Sequence, residues 1–200
     1  MRELLSSPGR ALLAGFVLAV LALLAWMSAE RVDALGLVSF LLRAVHVLAA
    51  MIWVGLVWFV NLIQHKALSE ADAAERAAIV KLVVPRVAHS FRHASHLTVL
   101  TGVLLLATTG YVLTGPVFAS EVHLPASREL MLCLGALGGL AMWVIVHALI
   151  WKHLRVVLGI DPGDTEARAT ARATAGFWAR VNLMLAIPVT ILMVAAAHLY

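Results

Sequence analysis

Apolar positions along this chain come in long blocks broken by short polar segments, the pattern of a protein whose helices meet lipid. A helix needs about 20 mostly apolar residues to cross a bilayer. Five blocks approach or exceed that length: residues 11–27, 35–63, 93–115, 130–151 and 177–200. They predict an all-α integral membrane protein, a single membrane domain over residues 1–200 with five transmembrane helices. The last four would form a four-helix core. The polar segments between blocks read as partly helical. Ser69-Glu70-Ala71-Asp72 is placed to cap a following helix through the serine oxygen. "DPGDTEARATARATAG" reads as a turn and an Ala-rich helical lead into the fifth span.

Polar residues inside the blocks are not scattered. In the second block Arg43, His46, Ala50, Trp53, Val57, Asn61 and Gln64 fall on one helical face. Polar groups in lipid lack partners, so such a stripe faces other helices or a cavity. His89, His93 and His96 follow i, i+4, i+7 spacing and share a face of the third span. His147 shares its face with Trp143 and Trp151.

Composition agrees: the chain is 62% apolar and 13% charged, against about 25% charged in soluble domains. Its net charge of +4 reads as basic loops, with no nucleic-acid surface. Twelve of the fifteen Lys and Arg residues fall before the first block, between the second and third, or between the fourth and fifth, counting Arg180 at the start of the fifth. The positive-inside rule then sets the N-terminus in the cytoplasm and the C-terminus in the periplasm. This bookkeeping favours the first span as a retained anchor, although Met27-Ser28-Ala29 loosely resembles a signal cleavage site. One cysteine, Cys133, excludes an internal disulfide, a CxxCH haem attachment and a Cys-ligated cluster.

The topology sorts the histidines into two layers. His46 and His198 fall on the periplasmic side, with Arg43 one turn outward from His46. His93, His96 and His147 fall on the inner side, with Arg92 beside His93. Imidazole is an axial ligand of haem iron, and a helical bundle can hold the porphyrin. An arginine in each layer suits the anionic propionates, and Gly102, Gly110, Gly135, Gly138 and Gly139 suit close approach. The expected cofactor is haem b, one or two, with His46, His93, His96, His147 and His198 as iron candidates and Trp53 on the same wall as His46. His65, His89, His123 and His153 read as interfacial residues. Copper is the weaker alternative, through His46, Met51, Met193 and His198.

"LLRAVHVLAAMIWVGLVWFVNLIQ" resembles the opening helix of the membrane-bound urate oxidase (urate hydroxylase) N-terminal domain family. "ARVNLMLAIPVTILMVAAAHLY" resembles that family's last helix at Arg180, Asn182, Pro188, Met193 and His198. "VVPRVAHSFRHASHLTVLTGVLLL" is similar to its intervening helix, and "WKHLRVVLGI" to the segment after its fourth. Together they cover about two-thirds of the chain. "AVHVLAAMIWVGLVWF" is more weakly similar to copper-resistance D proteins and membrane protoporphyrinogen oxidases. The resemblance implies a bacterial inner-membrane protein with redox partners, and it raises His46 and His198 as site residues. Urate-oxidising members carry a cytochrome c domain with CxxCH, a motif missing from these 200 residues, and His93 and His147 depart from the pattern.

The leading expectation is therefore a b-type haem protein acting as a membrane redox subunit, passing electrons between a quinol or a periplasmic cytochrome c and a partner. An oligomer or larger complex is compatible with that role. The alternatives are a non-redox membrane protein (a copper or small-solute permease, or an assembly subunit) and a urate hydroxylase-type oxidase with a separate cytochrome c. No catalytic residue is identifiable.

Overall fold

The computed structural model describes residues 6–29, 32–108 and 128–199. Arg2, Arg31, Gly110, His123, Tyr200 and residues 109–115 of the expected third span lie outside them. All regular structure among the described residues is helical: α1 (Pro8–Ala29), α2 (Ala34–Glu70), α3 (Ala73–Leu82), α4 (Val84–Thr108), α5 (Arg128–Val157) and α6 (Thr165–His198). Two helices widen into π geometry partway, α2 at Phe59–Gln64 and α5 at Ile145–Ile150.

Four of them, α1, α2, α5 and α6, are long and apolar enough to cross a membrane. The helix expected as the third span, α4, begins at Val84, nine residues before residue 93. Its first half carries Arg86, His89, Arg92, His93 and His96, which dilutes the apolar run. The fifth expected span is also longer: α6 starts at Thr165, because the Ala-rich lead is helical and continuous with the apolar part. Asp164 caps it, its Oδ1 accepting from the Ala167 N–H at 2.8 Å.

The expected serine cap is corrected. Ser69 lies inside α2 and donates its hydroxyl back to the Lys66 carbonyl at 2.7 Å. Asp72 is the N-cap of α3, accepting from Ala74 and Glu75 N–H groups, while Glu75 accepts from the Asp72 N–H at 3.0 Å. This reciprocal pair is the capping box, and it sits three residues after the serine. Between α5 and α6, Arg155 grips Asp161 with two bonds of 2.9 and 2.6 Å, across a turn whose Gly159 has φ 72°. The guanidinium holds the Asp161 carboxyl below the usual carboxylate range.

The chain divides into two compact units, Met1–Phe40 and Leu41–Tyr200. In the first, Asp33 starts α2 by accepting from the Gly36 N–H at 2.8 Å, and the Trp26 and Phe40 rings lie 5.8 Å apart. No residue of α1 is buried. Its exposed leucines and Phe16 are what a lipid-facing helix carries.

The second unit is an antiparallel four-helix arrangement. His46 of α2 meets Thr98 of α4, Ser95 of α4 meets His147 of α5, Met142 of α5 meets Asn182 of α6, and Asn61 of α2 meets Ala179 of α6. Each contact closes one side of a square. Trp53, Val57, Ala94, Met142, Val146 and Ala186 form the shared core, so all four helices contribute to it. Small residues set the spacing. A Cβ on Gly138 would fall 2.5 Å from a Val189 methyl, so this α5–α6 approach depends on glycine.

Candidate functional site

The polar stripe of α2 faces the bundle: Trp53, Val57 and Gln64 are buried, and His46 and Asn61 are half-buried. Arg43 is exposed one turn before His46. Around His46, α4 supplies a seat made of three residues. The imidazole Nδ1 lies 2.9 Å from the Thr98 carbonyl and 3.2 Å from Thr101 Oγ1. A carbonyl only accepts, so Nδ1 carries the proton and donates. In the neutral ring the lone pair then sits on Nε2. Gly102 makes this possible, since a Cβ there would stand 3.1 Å from His46 Cε1.

A histidine whose Nδ1–H is held by a backbone carbonyl is oriented to present Nε2 to a metal. His46 thus has the donor chemistry of an axial ligand, and Arg43 has the charge of a propionate partner. Trp53 contributes differently. It is 3% exposed within the core, and its Nε1–H is buried with no acceptor.

The inner histidines are arranged otherwise. His96 and His147 stack with ring centroids 4.1 Å apart and 26° between planes, and Trp143 lies 4.9 Å from His147. Rings in van der Waals contact leave no room for a macrocycle between them. Trp143 Nε1–H donates to His96 Nδ1 at 3.1 Å. The Ser95 hydroxyl donates to the Arg92 carbonyl at 2.9 Å, so its oxygen is free to accept from His147 Nε2–H at 3.1 Å. His93 stands apart from this pair. It is exposed, its ring 4.0 Å from that of His89, and its Nδ1 donates to the His89 carbonyl.

His198 is exposed at the end of α6 and makes no hydrogen bond or ring contact among the described residues. Met51 is 64% exposed, and Met193 packs across Gly135. Among the described residues no three His, Cys, Asp or Glu side chains form a group able to hold a metal ion.

The structure also contains a site that the sequence pattern did not single out. A cavity of about 620 Å³ opens where the C-terminal part of α2, the start of α4, the end of α5 and the start of α6 converge. Its walls are largely apolar, including Val57, Phe91, Val146 and Ile150. Arg76, Arg92, Arg172 and Arg180 line it, and among the described residues no acidic side chain does. Of the described histidines only His65, which is exposed, reaches it. Arg92 lies over the Trp151 ring with its Cζ 4.1 Å from the centroid, a cation–π contact.

Three lining side chains have buried polar atoms with no partner among the described residues: Gln64 Oε1, Arg92 Nε and Asn182 Oδ1. The Asn182 amide is oriented by its other end, Nδ2 donating to the Met142 carbonyl at 3.2 Å. Asn61 does the same on the opposite wall, donating to Val57 and Ala179 carbonyls at 2.8 and 3.2 Å. Each asparagine bonds a carbonyl just before a π-helical segment, where the backbone ladder changes register. An amide in an otherwise apolar helix was the available sequence signal. The sequence marks Arg92 for a haem propionate, but nothing in it joins that residue to Arg76, Arg172 and Arg180, which are dispersed over residues 76 to 180.

The chain matches no protein-family model, no curated protein and no solved structure.

Proposed function

We propose that this protein is a bacterial inner-membrane b-type haem protein that serves as a redox subunit, with His46 as the iron ligand. The supporting observation is the His46 seat: Nδ1–H donated to the Thr98 carbonyl, the ring laid against Gly102, and Nε2 left as the lone-pair nitrogen. Haem would supply one-electron chemistry between its ferrous and ferric states. The protein's own part is to fix the imidazole tautomer and ring plane through Thr98 and Thr101. Arg43 offers a guanidinium within one helical turn for a propionate.

The stacked His96–His147 pair has a hydrogen-bonding role in this reading, tying α4 to α5 through Ser95 and Trp143. The arrangement in the membrane is five spans with a cytoplasmic N-terminus and a periplasmic C-terminus. Supporting it are the four long apolar helices and the gathering of Arg76, Arg92, Arg172 and Arg180 around one cavity. Electrons would pass between a quinol or a cytochrome c and a partner subunit.

A second reading, a non-redox membrane protein, is favoured by the cavity. It has volume and orphaned polar atoms, yet the candidate ligand histidines do not line it. A dithionite-reduced minus oxidised spectrum of the detergent-purified chain separates the two. The haem reading expects the α-band of haem b. Colourless protein from cells supplied with ample haem would favour the second.

A further inference from the structure

The four-arginine cavity makes specific demands on an occupant. Four guanidinium groups with no lining carboxylate among the described residues call for an anion, and a planar guanidinium fork matches phosphate oxygens. Arg92 Nε–H needs an acceptor. Gln64 Oε1 and Asn182 Oδ1, on residues 9% and 0% exposed, need hydrogen-bond donors. Buried polar atoms left unpaired are costly, so all three point to a ligand carrying both an anionic acceptor and hydroxyl donors. Valine, isoleucine and phenylalanine walls then require an apolar body beside the polar group. The volume of about 620 Å³ lies in the range of about 300–1,000 Å³ usual for ligand sites.

We infer that the cavity binds a glycerol-phosphate lipid headgroup, with the phosphate on Arg92, Arg172 and Arg180. The glycerol hydroxyls donate to Gln64 Oε1 and Asn182 Oδ1. The glyceride and first acyl carbons lie against Val57, Phe91, Val146 and Ile150. Arg172 and Arg180 have no hydrogen bond or ion pair among the described residues and are exposed, so both can turn towards the phosphate. Arg76 is already committed, its guanidinium donating to the Leu68 and Ala71 carbonyls at 3.1 and 2.9 Å. It holds the turn between α2 and α3 at the rim. This ligand assignment does not depend on haem at His46.

The test is native mass spectrometry of the detergent-purified chain, titrated separately with phosphatidylglycerol, phosphatidylmethanol and phosphatidylcholine. One phosphatidylglycerol per chain is expected, bound about tenfold more tightly than phosphatidylcholine, which is about 1.4 kcal/mol. Phosphatidylmethanol keeps the phosphate but lacks the hydroxyls, and should bind with intermediate affinity. Arg92→Gln with Arg172→Gln should abolish the preference for the anionic lipids. Gln64→Leu, close in volume and removing the carboxamide with its unpaired Oε1, should erase the advantage of phosphatidylglycerol over phosphatidylmethanol while leaving the fold intact by circular dichroism.

Equal binding of all three lipids, or a preference unchanged in Gln64→Leu and in the arginine variant, overturns the inference. Displacement of the lipid by millimolar inorganic phosphate would make this a free-anion site. Displacement by haemin would make it a porphyrin site. Either result also overturns it.

Discussion

His46 and His147 are both half-buried imidazoles on interior faces of long apolar helices, and both are bonded to α4. They differ in what holds them. His46 is fixed by a backbone carbonyl, which dictates the proton position and leaves Nε2 as a lone-pair donor. His147 is bonded to a serine hydroxyl and stacked on His96, which in turn accepts from Trp143. One arrangement leaves Nε2 without a hydrogen bond among the described residues, while the other engages Nε2 and a ring face within the protein. Residue type and degree of burial did not distinguish them; the partner atom on α4 did.

The largest effect that would break this comparison is on haem content. His46→Ala should lower the haem retained per chain by more than about tenfold, or about 1.4 kcal/mol of binding. His147→Ala should retain it, and equal losses in the two variants would erase the distinction. Gly102→Ala sharpens the point without touching an imidazole. Its new Cβ would crowd His46 Cε1 at 3.1 Å and push the ring from the Thr98 carbonyl. Crowding of this kind costs about 1–3 kcal/mol, with a shifted or weakened haem band as the readout.

On the other side, Ser95→Ala removes the acceptor of His147 from a fully buried position. Interhelical hydrogen bonds in membranes are worth about 0.6 kcal/mol on average. The melting temperature should therefore fall slightly with the haem spectrum unchanged. A spectral change would place the inner pair at the cofactor.

Asp161→Asn, far from both histidines, should give the smallest effect, and one that varies with pH. The Arg155 fork lowers the folded-state pKa of this carboxyl, so its stabilising contribution is present above the ordinary aspartate pKa of about 3.9. It is lost as pH falls through the lowered value. The wild type should thus melt above the variant at neutral pH, and the gap should close in acid. A gap independent of pH would contradict the ion-pair account.

Much of the helical layout was legible because lipid imposes length and periodicity. The stripe from His46 to Gln64 faces inward as the 3.6-residue repeat requires, while Arg43 at its outer end is exposed. Helix starts were less legible. Thr165–Phe177 is polar but rich in alanine, so the helix runs well past the hydrophobic signal. At Asp72, a capping box outcompeted a nearby serine that preferred its own helix carbonyl.

The cavity was hidden for a different reason. Arg172 and Arg180 each read as an ordinary basic residue near a span end and Arg92 as a partner for a haem propionate, and only the packing of four helices brings them together. Periodicity also put His93 and His96 on one face without revealing that only His96 would stack on His147.

The central claim, one haem held by one oriented histidine, is tested most directly by counting. A pyridine haemochrome assay on detergent-purified wild-type chain, set against its protein concentration, should give one haem b per chain. Two haems per chain would require the inner histidines as ligands, and none would remove the cofactor from the account.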